Sequence, residues 1–142
     1  MRAWFFAAVA MAFCGAVSAQ TPVQDRLKAI QADPAALKQA IEAGQKAAFF
    51  CVNCHGDNGF SKIPEVPNLA GQNPAYLLEQ IRKFGSGERK DQFMQGLIKV
   101  LKDEERVQIA LYFGSQAAPS GKADPAQAAR GSANEAAPPA RA

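Results

Sequence analysis

Cys51-Val52-Asn53-Cys54-His55 puts two thiols and the chain's only histidine within five consecutive residues. Cys-x-x-Cys-His is the attachment signature of a c-type haem. The two thiols add across the porphyrin vinyl groups, and the adjacent imidazole reaches the iron as its proximal ligand. The flanks read as helical, and on a helical turn this spacing leaves the imidazole directed at the ring centre. Other chemistries fit less well. A zinc ribbon needs a second Cys pair, which is missing. A thioredoxin-type redox pair wants strand-helix-strand surroundings. A plain disulfide between Cys51 and Cys54 would close a very small loop, of little entropic value.

The rest of the 142 residues narrows the ligand set. Of 3 cysteines and 3 methionines, Cys14, Met1 and Met11 fall in an N-terminal leader, leaving Cys51, Cys54 and Met94 beside His55. That inventory excludes a four-ligand Cys/His zinc centre, a bis-histidine site and a multi-disulfide scaffold. With His55 on one side of the iron, the sixth position falls to Met94, a lysine, the N-terminus or nothing. Met94 lies 39 residues beyond His55, at a loop-to-helix junction, and is the one thioether outside the leader. It is the favoured axial ligand, against the bland alternative of a core methionine. His/Met ligation raises the potential and leaves no vacancy for oxygen or peroxide, which favours electron transfer over catalysis at the iron.

Residues 1–19 read as a cleavable secretory signal: Arg2, an apolar run from Ala3 to Val17, then Val17-Ser18-Ala19, with cleavage after Ala19. The run is shorter than the ~20 residues a membrane span needs. Phe13 before Cys14 is wrong for a lipoprotein site. Export to the periplasm, without membrane insertion, is expected. The net charge of +3, or +2 once Arg2 is lost, mixes both signs and argues against nucleic acid as a partner.

Local patterns predict an all-α chain. Val23 to Ala43 reads as two short tandem helices, the second started by Asp33-Pro34, with a break at Gly44. Gln45 to Phe50 runs as a helix into the Cys/His motif, and Gly56 to Gly59 ends it. Residues 60–73 form a loop. Asn73-Pro74 starts a helix with Tyr76, Leu77, Gln80, Ile81 and Phe84 on one face, stopped at Gly85-Ser86-Gly87. A charged loop leads to Phe93-Met94 and a short helix with Leu97, Ile98 and Leu101. Asp103 is expected to cap the last helix, whose inward residues are Val107, Ala110, Leu111 and Phe113, and Gly114 to close it. The organisation expected is a signal peptide (1–19), a helical N-terminal extension (20–43), a haem domain (44–116) and a disordered Ala/Pro-rich tail (117–142). At 73 residues the haem domain is marginal for a side-chain core alone.

Several separated motifs together resemble the class I c-type cytochromes of the bacterial cytochrome c4/c553 type. They are Cys51 to Gly59, Val66-Pro67-Asn68-Leu69-Ala70-Gly71-Gln72, Tyr76-Leu77 with Gln80, Phe84 with Gly87 and Arg89, Met94, and Ala110 to Phe113. The resemblance covers residues 44–115. It implies a small all-α fold wrapped around one covalent haem c, with the first and last helices crossing. It also implies that the Pro67 carbonyl accepts from the His55 ring and that Tyr76, Phe84 and Tyr112 line the pocket. Cytochromes c4 proper carry two haem domains, whereas this chain has one motif.

The reading is a periplasmic monohaem electron carrier, not an enzyme. Cys51, Cys54, His55, Pro67, Tyr76, Phe84 and Met94 bind the cofactor, and His55 and Met94 hold the iron. Its partners would be redox proteins, with Lys62, Lys83, Arg89 and Lys90 as candidate steering charges. A cytochrome subunit of a larger periplasmic oxidoreductase has the same residue chemistry. A haem enzyme or gas sensor would require Met94 not to bind iron.

Overall fold

A computed structural model describes residues 22–117. The expected leader lies outside these residues, as does the expected tail beyond Ala117. Among the described residues the chain is helical, with no strand. α1 spans Pro22–Ala32, α2 Pro34–Ala47, α3 Val52–His55, α4 Pro74–Ser86, α5 Gln92–Lys99 and α6 Asp103–Ser115, with a single 3₁₀ turn at Ala48–Phe50.

Two helix starts use the same device. The Asp33 carboxylate accepts from the Ala35 and Ala36 N–H groups at 2.8 and 3.3 Å, with Pro34 in the first turn of α2. The Asn73 side chain accepts from the Ala75 N–H at 2.8 Å, with Pro74 opening α4. Each side-chain oxygen satisfies N–H groups that the helix leaves without a partner, and each proline loses none it would have used. At the other end of α4, Gly87 takes a left-handed conformation (φ 81°), which a side chain would strain.

α6 is the centre of the molecule, packing against α1, α2 and α4. Val107, Ile109, Ala110, Leu111, Tyr112 and Phe113 are all buried. An inward stripe of Val107, Ala110, Leu111 and Phe113 therefore understates the helix. Having neighbours on several sides, it needs apolar residues on several sides. Leu27 and Ile30 of α1 and Ala40 of α2 belong to the same core as Leu77, Leu78 and Phe113.

Four local expectations are corrected. No break occurs at Gly44: α2 continues through it, so a boundary between residues 43 and 44 falls inside one helix. A Cβ at Gly44 would collide with the Gln108 carbonyl and stand 2.9 Å from the Tyr112 Cβ. The glycine is there for close helix approach, not for termination. Gly114 is likewise inside α6, where a Cβ would sit 2.6 Å from Pro74 Cγ and 2.9 Å from the Gln72 carbonyl oxygen. Asp103 is the first residue of α6, and the cap position is Lys102, whose N–H donates to Glu105 Oε2 at 2.8 Å. Leu101 lies beyond the end of α5, half-buried against the core.

Gly44→Ala should therefore destabilise the protein by about 2 kcal/mol or more, since α2 or α6 must shift to admit the methyl group. Gly96→Ala, in α5 with nothing within 4 Å of the new atom, should stabilise by about 0.5–1 kcal/mol. Denaturant unfolding of the two variants checks both signs.

Candidate haem site

α2 leads through the Ala48–Phe50 turn directly into the motif, so the thiols and imidazole are fixed at the end of the helix that crosses α6. The His55 N–H bonds to the Cys51 carbonyl at 2.9 Å, and the Gly56 N–H to the Val52 carbonyl at 2.9 Å. These are helical i to i+4 bonds, so Cys51, Cys54 and His55 lie at i, i+3 and i+4 on one side of a single turn. Gly56, at φ 82°, then turns the chain away. Cys51 and Cys54 are half-buried free thiols. Burial pushes the Cys51 thiol up, a backbone hydrogen bond partly opposing it. Among the described residues no three His, Cys, Asp or Glu side chains cluster as a metal site of their own.

His55 is buried, 7% exposed. Its Nδ1 lies 2.8 Å from the Pro67 carbonyl oxygen. A carbonyl can only accept, so Nδ1 carries the proton and Nε2 keeps its lone pair. Burial lowers the pKa of the ring, the Pro67 carbonyl partly offsetting this. The result is a neutral, oriented imidazole with one nitrogen available as a ligand.

The loop that carries Pro67 is tied down at several points. Leu69 and Ala70 donate to the Gly59 carbonyl at 2.8 and 3.2 Å, and Gly71 donates to the Phe113 carbonyl of α6 at 3.0 Å. The Ser61 N–H donates to Asn68 Oδ1 at 2.8 Å, and Ser61 Oγ lies 2.9 Å from the Cys54 carbonyl. The Tyr112 hydroxyl donates to the Asp57 carbonyl. Burial, with the Asp57 charge second, raises the pKa of that phenol. Ser61 and Asn68 as loop anchors, and Tyr112 as a tether, carry no sequence signal beyond polar residues in a loop and an aromatic in a helix.

Cys51, Cys54, His55 and Pro67 thus form one cluster. Tyr76, Phe84 and Met94 are carried by other elements. Tyr76 and Phe84 lie on α4, Phe84 buried and Tyr76 51% exposed. Met94 is half-buried in the first turn of α5, which packs on α4. Its N–H donates to the Asp91 side chain at 2.9 Å, so the cap of α5 also fixes the Met94 backbone. The loop before it is held by charge. Arg82 reaches Glu79 at 2.9 Å and Glu88 at 2.6 and 2.8 Å, and Ser86 Oγ donates to Glu88 at 2.9 Å.

The side chains fit a haem in three respects. Two thiols and a neutral histidine share one helical turn, and a thioether stands at the head of a separate helix. Large apolar side chains also lie exposed on the segments bearing these groups: Phe49 and Phe50 before Cys51, Ile63 in the Pro67 loop, Tyr76 on α4 and Phe93 beside Met94. Val100, beyond α5, is exposed as well, and exposed apolar surface on the segments that bear these groups is what a largely apolar cofactor could cover.

No family model matches the chain. It is 44% identical over 91 residues to cytochrome c4 of Pseudomonas aeruginosa, covering 64% of this chain and 45% of that protein. Over 77 residues it is 38% identical to cytochrome c-554(548) of Halomonas halodenitrificans, covering 52% of this chain and 93% of that one. The crystal structure of reduced recombinant cytochrome c4 from Pseudomonas stutzeri matches with a TM-score of 0.54 at 40% identity, over 63% of this chain and 52% of that chain. The chain spans about half the length of the curated cytochromes c4 it matches.

The charge clamp ahead of Met94 has a direct signature. Arg82 first, then Ser86, hold the Glu88 carboxyl down at about 2, against an ordinary 4.5. A depressed carboxylate pKa stabilises the fold above the unfolded value, and that contribution fades as pH falls from about 4.5 towards about 2. A carboxyl-carbon NMR titration should find the Glu88 midpoint near pH 2, and in Arg82→Gln it should return towards 4.5.

Proposed function

Because the chain belongs to the class I c-type cytochromes of the cytochrome c4 type, we propose that it is a periplasmic one-electron carrier. Cys51 and Cys54 would hold haem c through thioethers, with His55 and Met94 as axial ligands. The observation that carries this reading is the single turn in which His55, with Nδ1 on the Pro67 carbonyl at 2.8 Å, follows both thiols. The cofactor supplies a ferric/ferrous couple that takes up and releases one electron.

The protein's own groups do the rest. Pro67 accepts the Nδ1 proton's hydrogen bond, which orients the imidazole and makes Nε2 a stronger donor. Buried and held on the Pro67 carbonyl, His55 presents that nitrogen in a fixed direction. Asp91 fixes the Met94 backbone, and the Met94 thioether, a soft ligand, would hold the iron opposite His55 and favour its reduced state. Ile63, Tyr76, Phe84 and Phe93 offer apolar surface that would keep water from a bound haem, which would also favour the less charged reduced form. Redox proteins are the partners this chemistry calls for. No helix among the described residues is long and apolar enough to cross a membrane, and the periplasmic assignment rests on the leader-like sequence of residues 1–19.

Met94→Ala tests the ligand set. The wild-type ferric protein should show the weak far-red band of a thioether–iron bond, and the variant should lose it. The variant's potential should drop by on the order of a tenth of a volt or more, within the roughly 0.8 V that axial ligands span, and its ferrous form should bind carbon monoxide. A wild type without the band, binding carbon monoxide readily, would replace this reading with an open-site haem protein.

A further inference from the structure

α5 carries two apolar stripes, and the fold covers one of them. At about 100° per residue, Met94, Ile98 and Leu101 share the inward side: Ile98 is buried, Leu101 packs on the core and Met94 is half-buried. Phe93, Gly96, Leu97 and Val100 follow the i, i+3, i+4, i+7 spacing of a second stripe, about a third of a turn away. Phe93 is 69% exposed and Val100 76%, with Leu97 half-buried between them. Among the described residues α4 is the one helix against which α5 packs closely.

Gly96 stands in the middle of the second stripe. It is exposed, its φ is not positive, and a Cβ there would meet nothing within 4 Å. Neither its conformation nor its own surroundings call for a glycine, which costs a helix about 0.5–1 kcal/mol relative to alanine. What a bare Cα offers at such a place is close approach by another backbone.

The charges at the ends of α5 indicate which backbone. Lys90 and Asp91 precede the helix, Lys102 and Asp103 follow Leu101, and all four are exposed. Asp91 and Asp103 each use Oδ1 for an internal contact, to the Met94 N–H and to Arg106, and the Asp103 side chain stays 68% exposed. A two-fold axis between Gly96 and Leu97 lays α5 antiparallel on itself. Phe93 and Val100 are equally far from that axis, so Phe93 stands level with Val100 of the partner subunit. The same axis carries Asp91 towards the partner's Lys102 and Lys90 towards the partner's Asp103. A parallel pairing would set like charges together, and antiparallel helices also oppose their dipoles favourably.

We infer that α5 is the contact face of a homodimer, two copies packing antiparallel through Phe93, Gly96, Leu97 and Val100 with the charged ends paired across the axis. A Phe93 ring that shields a haem with one face still presents the other. An α5 of eight residues is about 12 Å long, so the interface belongs to the small, reversible class, and the dimer dissociates on dilution.

The experiment is sedimentation equilibrium of the purified protein as isolated, from about 10 µM to about 1 mM, where a small interface associates. Wild type should be a monomer at the bottom of this range and a reversible dimer at the top. Gly96→Gln, at an open position, should keep the helix content and visible spectrum of wild type and weaken dimerisation at least about tenfold. Val100→Glu should weaken it as much. Lys90→Glu should weaken it about three- to tenfold, and Asp103→Lys in the same chain should restore it. Phe49→Ser, at an equally exposed aromatic on another segment, should leave it within about twofold. A wild type that stays monomeric throughout the range, its stripe taken up by a different redox protein, overturns the inference. So does a dimer that survives Gly96→Gln and Val100→Glu, or one that Phe49→Ser abolishes. A double charge variant no tighter than Lys90→Glu overturns the antiparallel pairing.

Discussion

The close crossing of α2 and α6 at Gly44 sets the position of everything else in the molecule. With no side chain there, α2 comes against the backbone of Gln108 and the Cβ of Tyr112. Because α2 leads through one tight turn into Cys51, that crossing also fixes where the thiols and His55 stand relative to α6. The same helix then holds the far side of the motif. Tyr112 binds the Asp57 carbonyl, Phe113 binds the Gly71 N–H, and Gly114 admits Pro74 at the start of α4. One helix therefore positions the end of the motif, the end of the Pro67 loop and the beginning of α4, within its last four residues.

This dependence explains which features were legible in the sequence. Signals that act over three or four residues could be read directly. The Asp33-Pro34 and Asn73-Pro74 starts, the Gly87 stop and the Cys-x-x-Cys-His turn all have their causes next to them in the chain. Gly44 and Gly114 read in the sequence as helix boundaries for the opposite reason. A glycine that ends a helix and one that lets two helices touch look identical locally, and only the Gln108 or Pro74 atoms across the gap distinguish them. The breadth of burial on α6 was hidden in the same way, since the number of helices around it is a tertiary fact. Ser61, Asn68 and Tyr112 act through bonds spanning from 7 to 55 residues. Met94 and Phe84 could be nominated by scarcity and resemblance, but the Asp91 cap that holds Met94 and the Arg89 that covers Phe84 come from a loop that reads as ordinary charged surface.

The extent of the folded unit changes the account of its stability. A domain beginning at Gly44 would have to stand on too small a core. With α1 and the whole of α2 included, Leu27, Ile30 and Ala40 join the buried cluster, and burial of a Leu or Ile side chain contributes about 1.5–3 kcal/mol each. The helical core is thus assembled largely without the exposed apolar side chains at Phe49, Phe50, Ile63, Tyr76 and Phe93. Those side chains lie at the surface rather than in the core, and it is there that the proposed haem would add buried area.

The two faces of the proposed haem site are held by different physics. On the His55 side the fixing contacts are backbone bonds within a helical turn, a carbonyl on a buried ring and the packing of α2 on α6, none of which depends on ionised side chains. On the Met94 side the chain is held by Arg82 with Glu79 and Glu88, by the Asp91 carboxylate and by Arg89 on α4, all partly in water. Exposed ion pairs are weakened by salt and by acid, while backbone bonds and packing are much less so. Perturbation by salt or low pH should therefore reach the loop ahead of Met94 before it reaches His55. In a His/Met-ligated carrier, that makes the weaker of the two iron bonds also the one carried on the more labile support.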